Sequence, residues 1–294
     1  MSVATLATPA ASRHVTATSS STLPFVLFLV KEGLYAVGAQ NVREIVMMPK
    51  VVGLPNVPSE IRGVINLRGK VMPLLDLRVK LGLPSAKSEL DALIQLLHDR
   101  EQDHQNWLTE LEACVREQRP FKMARDPHAC KFGLWYDNYQ TNSSLLKMAL
   151  QKMDAPHQII HASAAEVMQK AESGDLDGAR ELLAARRNGE LAELSELFEE
   201  ARRILREHHR ELAMVLVRGE KRFAISIDLV EAVERIAEEN IEPMSAALAG
   251  SGEKNEWRVG KRNKTSQTIL LLDEDYLFPA EAVNADFFQP AATG

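Results

Sequence analysis

Residues 61–77 read IRGVINLRGKVMPLLDL, two runs rich in Val, Ile and Leu on either side of a short polar break. Each run has the length and composition of a β-strand. The break Arg68-Gly69-Lys70 predicts a three-residue loop in which the glycine adopts a positive φ. A second hairpin is predicted upstream, where the run from Phe25 to Val30 is followed by Leu34 to Val37. The N-terminal part of the chain therefore predicts half of a small β domain.

Outward from this hairpin, the chain changes character twice. Between Ser85 and about Arg210, apolar residues recur at steps of three and four, which predicts a bundle of four or five helices. Ser88 and Asp91 are predicted to cap its first helix. From Leu212 the β-like runs return. Because an antiparallel bundle brings its own ends together, this order predicts a helical domain inserted into a β domain.

The overall composition excludes several classes of protein. The chain has 294 residues, 45% of them hydrophobic, and a formal net charge of −6, which argues against a general nucleic-acid binder. The longest apolar run, Leu23 to Val30, is far below the ~20 residues that a membrane span needs. Residues 1–21 lack the apolar core of a signal peptide and predict a disordered tail, and residues 283–294 predict another. We therefore expect a cytoplasmic protein without membrane insertion.

Four residues of the helical region have side chains that bind metals: His104, Cys130, His157 and His161. The last two are four residues apart, so they share one face of a helix. Asp126-Pro127 predicts a helix start near Cys130, where partial positive charge would favour the thiolate. Three imidazoles and one thiolate suit tetrahedral zinc. From the residues alone, a core histidine on an apolar stripe and a buried apolar cysteine remain alternatives.

The motif around the cysteine adds a family resemblance. Residues 130–136, CKFGLWY, with one histidine upstream and a His-x3-His pair downstream, resemble the chemoreceptor zinc-binding (CZB) domain over about residues 95–185. The resemblance implies that one zinc ion per chain is held by His104, Cys130, His157 and His161. Members of this family dimerise elsewhere, so a homodimer through the helical insert is an open option here.

The β halves resemble a second family, the CheW-like domains. The resemblance rests on residues 63–69 (GVINLRG) and 71–78 (VMPLLDLR), with further matches at 41–45, 227–230 and 269–273. It implies an α+β fold in which a pair of small five-stranded β-barrels is split by the inserted α-helical zinc-binding bundle. The CheW-like halves would be residues 22–84 and 210–282, and the insert residues 85–209.

The CheW-like resemblance implies a protein without enzymatic activity, a scaffold that couples chemoreceptor tips to the CheA histidine kinase in receptor arrays. By family position, Arg68 lies on the receptor-facing surface and Val42 in the same groove. Without the family, Arg68 would be a solvated turn residue, and Val42 could equally belong to the core. Both positions are therefore candidate coupling residues.

Three functions are compatible with these features. In the first, the scaffold carries a zinc-thiolate sensor, in which Cys130 is oxidised by hypochlorous acid or the site responds to zinc availability. In the second, the zinc is purely structural and the scaffold is passive. In the third, the protein is a zinc hydrolase, although four candidate ligands leave no open position, and the sequence has no HExxH stretch. The role of Cys114 is open, with packing on the long helix as the simplest interpretation.

Overall fold

The computed structural model describes residues 21–244, 258–262 and 267–277, so nearly all of the two predicted tails lies outside the described residues. The described chain divides into two compact units. One contains the residues up to Leu81 and those from Glu211 onward, and the other is Gly82–Arg210. A mixed α+β chain with a helical region between β-rich flanks, as predicted, is therefore observed.

The first unit is built from twelve described strands and two short helices. Before the helical region they are β1 (Thr22–Val30), β2 (Gly33–Gly38), β3 (Val42–Met47), β4 (Val51–Val52), β5 (Ile61–Leu67), β6 (Lys70–Leu75) and α1 (Leu77–Lys80). After it they are β7 (Leu212–Arg218), β8 (Lys221–Ile227), β9 (Leu229–Ala237), β10 (Ile241–Pro243), β11 (Arg258–Lys261), β12 (Thr268–Leu271) and a final helical turn, Glu274–Leu277.

These strands form two six-stranded sheets rather than the predicted five-stranded closed barrels. The strand orders are β10-β11-β12-β2-β1-β9 and β3-β7-β8-β6-β5-β4, and neither order closes on itself among the described residues. The expected number of five strands came from the family resemblance. Strands β4 and β10, with only two and three residues, are too short to show an alternating pattern in the sequence. An ion pair between Arg68 and Glu44, 3.1 Å long, joins the β5–β6 turn to β3.

Each sheet contains strands from both sides of the helical region. β1 pairs with β9 from Thr22↔Ala237 to Leu29↔Leu229 in antiparallel register, and β2 lies parallel to β12. In the other sheet, β3 pairs with β7 and β6 lies parallel to β8. Because the flanks are interleaved in this way, neither flank can complete a sheet without the other.

The β5–β6 turn differs in length from its prediction. Strand β6 begins at Lys70, so the loop consists of Arg68 and Gly69 alone, with φ values of 52° and 79°. A two-residue hairpin loop with positive φ at both positions is the type I′ geometry, which matches the twist of the strands. Arg68 is therefore held at the tip of a tight turn.

The second unit is helical. Its elements are α2 (Ala86–Glu117), a 3₁₀ turn (Pro127–Ala129), α3 (Lys131–Tyr136), α4 (Ser144–Lys152), α5 (Asp154–Glu172), α6 (Leu176–Arg186), a π turn (Arg187–Leu191) and α7 (Ala192–His208). The predicted cap at Ser88 is wrong. The Ser85 hydroxyl accepts the N–H of Ser88 instead, so α2 begins one turn earlier.

No helix among the described residues is long and apolar enough to cross a membrane.

Candidate metal centre

The four residues predicted to bind metal converge at one point of the helical unit. His104 projects from α2, Cys130 is the N-cap residue of α3, and His157 and His161 project from α5. One donor atom from each of the four lies within 4.8 Å of all the others. Residues separated by up to 57 positions in sequence are thus brought into a single cluster of three nitrogens and one sulfur.

Backbone carbonyls orient two of the imidazoles. Nδ1–H of His104 donates to the carbonyl oxygen of Arg100 at 2.7 Å, and Nδ1–H of His161 donates to that of Ala124 at 3.1 Å. A carbonyl can only accept, so in each ring the proton is on Nδ1 and the lone pair is on Nε2. Both Nε2 atoms are buried and have no hydrogen-bond partner among the described residues. Because an unsatisfied buried acceptor is costly, this donor set fits a bound metal ion.

Cys130 is placed by the turn that begins α3. Its Sγ accepts the backbone N–H of Gly133 at 3.2 Å and lies 3.2 Å from Nε2 of His157. The glycine is required at this point, because a Cβ on Gly133 would overlap the carbonyl oxygen of Pro127. The glycine of the motif therefore lets the 3₁₀ turn approach α3 closely enough to bring the sulfur to the histidines.

Burial keeps the imidazoles neutral. Burial, with a smaller contribution from the neighbouring imidazoles, lowers the pKa of His157 to about 3 and that of His161 to about 4. It also lowers the pKa of His104. All three rings are therefore unprotonated at neutral pH, which is the form that binds metal.

The cysteine behaves differently from the prediction. Burial raises the pKa of the Cys130 thiol, and the backbone N–H groups of Gly133 and Phe132 offset this only in part. The helix N-terminus alone thus does not produce a thiolate, because removing the sulfur from water disfavours its charged form more strongly. A thiolate at this position requires an additional positive charge, such as a metal ion.

A cavity of about 240 Å³ adjoins the cluster. Cys130, His104 and His161 form part of its wall, together with apolar side chains that include Trp107 and Phe132. Cys130 is only partly buried, whereas the three histidines are 1–3% exposed. The sulfur is therefore the donor that a small solute can reach most readily.

Sequence reasoning missed Trp107, which shares an acceptor with a histidine of the cluster. The indole N–H of Trp107 donates at 2.7 Å to the Ala124 carbonyl, the same oxygen that accepts Nδ1–H of His161. The available signal was its position three residues after His104, on the same face of α2. Together the two hydrogen bonds hold the segment that precedes the 3₁₀ turn against the four-residue cluster.

Trp107→Phe is expected to weaken zinc binding by about tenfold. The phenyl ring keeps the packing, but the indole N–H no longer holds the Ala124 carbonyl in place, so the acceptor that orients His161 is less well fixed. The dissociation constant would be measured by competition with a chromogenic chelator. Trp135→Phe is the control, since it alters a tryptophan of the same unit outside this hydrogen-bonded pair. Equal affinities for Trp107→Phe and the unmodified protein would contradict the role given to this contact.

The remaining candidates lie elsewhere. The Arg68 side chain is 83% exposed and paired with Glu44, and Val42 is half-buried at the start of β3. Cys114 is fully buried in the core of the helical unit, where its Sγ lies 2.9 Å from a guanidinium nitrogen of Arg119. Burial raises the pKa of the Cys114 thiol. It is not part of the four-residue cluster.

Two family models match the chain. The CheW-like domain matches residues 24–104, and the chemoreceptor zinc-binding domain matches residues 104–168. Both resemblances seen in the motifs are confirmed. The CheW-like match extends beyond Leu81, the last residue of the first unit before the helices, and into α2. The zinc-binding match contains all four residues of the cluster.

Individual relatives match shorter stretches. The chemotaxis protein CheW of Helicobacter pylori is 32% identical over 94 residues, which are 32% of this chain and 57% of that protein. The chemotaxis protein CheW of Bacillus subtilis is 42% identical over 59 residues, 20% of this chain and 38% of that protein. The chain thus spans less than two thirds of either relative. A crystal structure of the scaffolding protein TtCheW from Thermoanaerobacter tengcongensis overlays 89% of this chain and 96% of that one, at 13% identity and a TM-score of 0.41.

Proposed function

We propose that this chain is a chemotaxis scaffold that couples chemoreceptors to the CheA histidine kinase and carries a zinc-thiolate site that senses oxidants. The observation that carries the proposal is the cluster itself. Within the part of the chain that the structure describes, two buried Nε2 atoms lack hydrogen-bond partners, and the single sulfur donor of the cluster lines a cavity. The matches to a CheW-like domain and a zinc-binding domain support the coupling role and the choice of metal. A place in the cytoplasm beside receptor arrays belongs to the same proposal.

The four residues would hold a single zinc ion through three Nε2 atoms and Sγ. When bound, zinc would supply the positive charge that keeps Cys130 deprotonated despite the burial that raises its pKa. The carbonyls of Arg100 and Ala124 would keep two of the rings in the tautomer that presents Nε2. With four protein donors in place, the site is of the closed type, which argues against the zinc hydrolase alternative.

Oxidation would act on the sulfur of Cys130. The thiolate gives up two electrons to hypochlorous acid, takes its oxygen to become a sulfenic acid, and chloride leaves. The sulfur then loses its place beside His157 and its hydrogen bond from Gly133, so the start of α3 is released. Next along the chain, Phe132 packs on both His157 and Phe198 of α7, with ring centroids 5.0 and 5.2 Å apart.

The signal would reach the coupling domain along α7. This helix ends at His208, and β7 begins at Leu212 and pairs with β3, the strand of Val42 and Glu44. Arg68 contacts the same Glu44. We include Arg68 and Val42 as coupling residues in the proposal. Arg68→Ala would then weaken coupling between receptor and kinase without altering the metal site.

Titration of the purified protein with hypochlorite tests the sensor. We expect the protein to release its zinc at about one equivalent of oxidant. The released zinc is measured with a chromogenic chelator. In a reconstituted receptor–kinase assay, Cys130→Ala should remove the oxidant response, whereas Cys114→Ala, a buried cysteine of the same unit, should keep it. Zinc that stays bound until gross excess would favour the passive scaffold. An unchanged oxidant response in Cys130→Ala would refute the sensor.

A further inference from the structure

A methionine occupies the wall of the same cavity as Cys130. Three methionines are exposed among the described residues, Met47, Met123 and Met148, and of these Met123 alone lines the cavity. Its side chain is 41% exposed. Thioethers are oxidised by the same two-electron oxidants that attack thiolates. An oxidant that enters this cavity therefore meets two sulfur atoms.

Met123 also precedes the residue that orients His161. The neighbouring Ala124 accepts hydrogen bonds from both Trp107 and His161 through its carbonyl oxygen. On the other side, Phe121 is buried against Trp107, with the rings edge to face at 5.0 Å. The segment from Phe121 to Ala124 is thus held at one end by the contact of Phe121 with Trp107 and at the other by the Ala124 carbonyl. Met123 lies between these two points in the sequence.

We propose that Met123 is a second oxidation site, whose conversion to the sulfoxide weakens metal binding through Ala124 and His161. The proposal rests on the proposed function for the nature of the oxidant. In the step, the thioether sulfur loses two electrons and takes the oxygen of hypochlorous acid, and chloride and a proton leave. The product carries a polar S–O group where an apolar side chain had lined the cavity.

The wall of the cavity is mixed in character: Trp107, Phe132 and Ala129 offer apolar surface, whereas Asp103 and Lys131 carry charge. An S–O oxygen against the apolar part would lose hydration, so the sulfoxide favours solvent or the charged part of the wall. In the proposal, this change of position draws the backbone of Met123 with it. The Ala124 carbonyl then shifts, and His161 loses the acceptor that fixes its ring.

The two oxidations differ in how they are reversed. A sulfenic acid on Cys130 is reduced by thiols, whereas methionine sulfoxide is reduced only by methionine sulfoxide reductases. Oxidation of Met123 would therefore leave the site weakened after Cys130 has been restored. The helical unit would retain a record of a past exposure to oxidant.

The test separates the two sulfur atoms by their reductants. The full-length protein is oxidised with a small excess of hypochlorite and treated with dithiothreitol, and zinc affinity is measured by chelator competition. We expect affinity about tenfold below that of the untreated protein, recovered after treatment with MsrA and MsrB. Met123→Leu should regain full affinity with dithiothreitol alone, whereas Met148→Leu should behave as the unmodified protein. Full recovery of the unmodified protein with dithiothreitol alone would overturn the proposal.

A second variant tests the role of Met123 whether or not Cys130 senses oxidants. Met123→Gln places a polar group at the same position without any oxidant and is expected to bind zinc about tenfold more weakly than Met123→Leu. Met148→Gln is the matched control on an exposed face of α4. Equal zinc affinities for Met123→Gln and Met123→Leu would overturn the proposal even if Cys130 proves to be the oxidant sensor. If Cys130 is not the sensor, the difference between these variants remains.

Discussion

His104→Gln is expected to lower zinc affinity by more than about 100-fold. Loss of a group that only hydrogen-bonds to a metal ligand already costs about 10–100-fold, and His104 is itself a proposed ligand. The ring of His104 packs against both other imidazoles of the cluster, with its centroid 5.0 Å from that of His157 and 5.6 Å from that of His161. Its Nε2 is buried and its Nδ1 is held by Arg100.

The same variant should separate metal binding from the fold of the chain. A free metal concentration 1,000 times the dissociation constant stabilises a folded unit by about 4 kcal/mol. Added zinc should therefore raise the thermal unfolding midpoint of the unmodified protein and leave that of His104→Gln unchanged. His98→Gln, an exposed histidine on the same helix, is the control and should keep both properties. Zinc affinity within about threefold of the control would exclude His104 as a ligand.

Gly133→Ala is expected to destabilise the helical unit by about 1–3 kcal/mol or more and to disrupt the metal site. The added Cβ would overlap the carbonyl oxygen of Pro127 and lie 2.9 Å from Cα of His128. Both are backbone atoms, so the 3₁₀ turn itself must move away from α3. Cys130 directly follows this turn and accepts the N–H of Gly133, so its sulfur would be displaced from the histidines.

Gly189→Ala provides the matched control. Gly189 lies in the π turn of the same unit, and a Cβ there meets no atom within 4 Å among the described residues. An alanine at a compatible helical position is neutral or stabilising by up to about 1 kcal/mol. The urea midpoint and the zinc affinity should therefore both fall in Gly133→Ala. In Gly189→Ala the midpoint should stay the same or rise slightly, and the zinc affinity should not change. A Gly133→Ala protein with unchanged midpoint and affinity would show that this close approach is not needed.

The residue types and the family resemblance together were enough to find the four residues of the cluster, but not what holds them in place. His157 and His161 are four residues apart, and the cysteine motif has a fixed pattern, so side-chain identity carries the signal. The Ala124 carbonyl that orients His161 is a backbone atom, which any residue supplies, and so it leaves no trace in the sequence. The Cys130 thiol was also misjudged, because its burial depends on how three helices pack.

The fold shows the same division between local and long-range information. The β5–β6 hairpin was predictable because both of its strands and its turn are adjacent in sequence. The pairing of β1 with β9 was not, because it joins residues at least 200 positions apart through cross-strand contacts that no local pattern records. Short strands such as β4 are defined by their partner, Ile65 and Val64 of β5, more than by their own residues.

Because the sheets are interleaved, the helical unit lies in the chain between strands that must pair, so its folding affects how the first unit assembles. During synthesis β6 is complete before the helical unit emerges, and its parallel partner β8 follows only afterwards. Until then, the strands that precede the helices expose edges that template aggregation. A helical unit that folds early replaces a long flexible loop by two nearby ends and so reduces the entropy cost of joining the flanks. If the four-residue cluster binds a metal ion as proposed, the supply of that ion would thereby influence how much of the chain reaches its folded state.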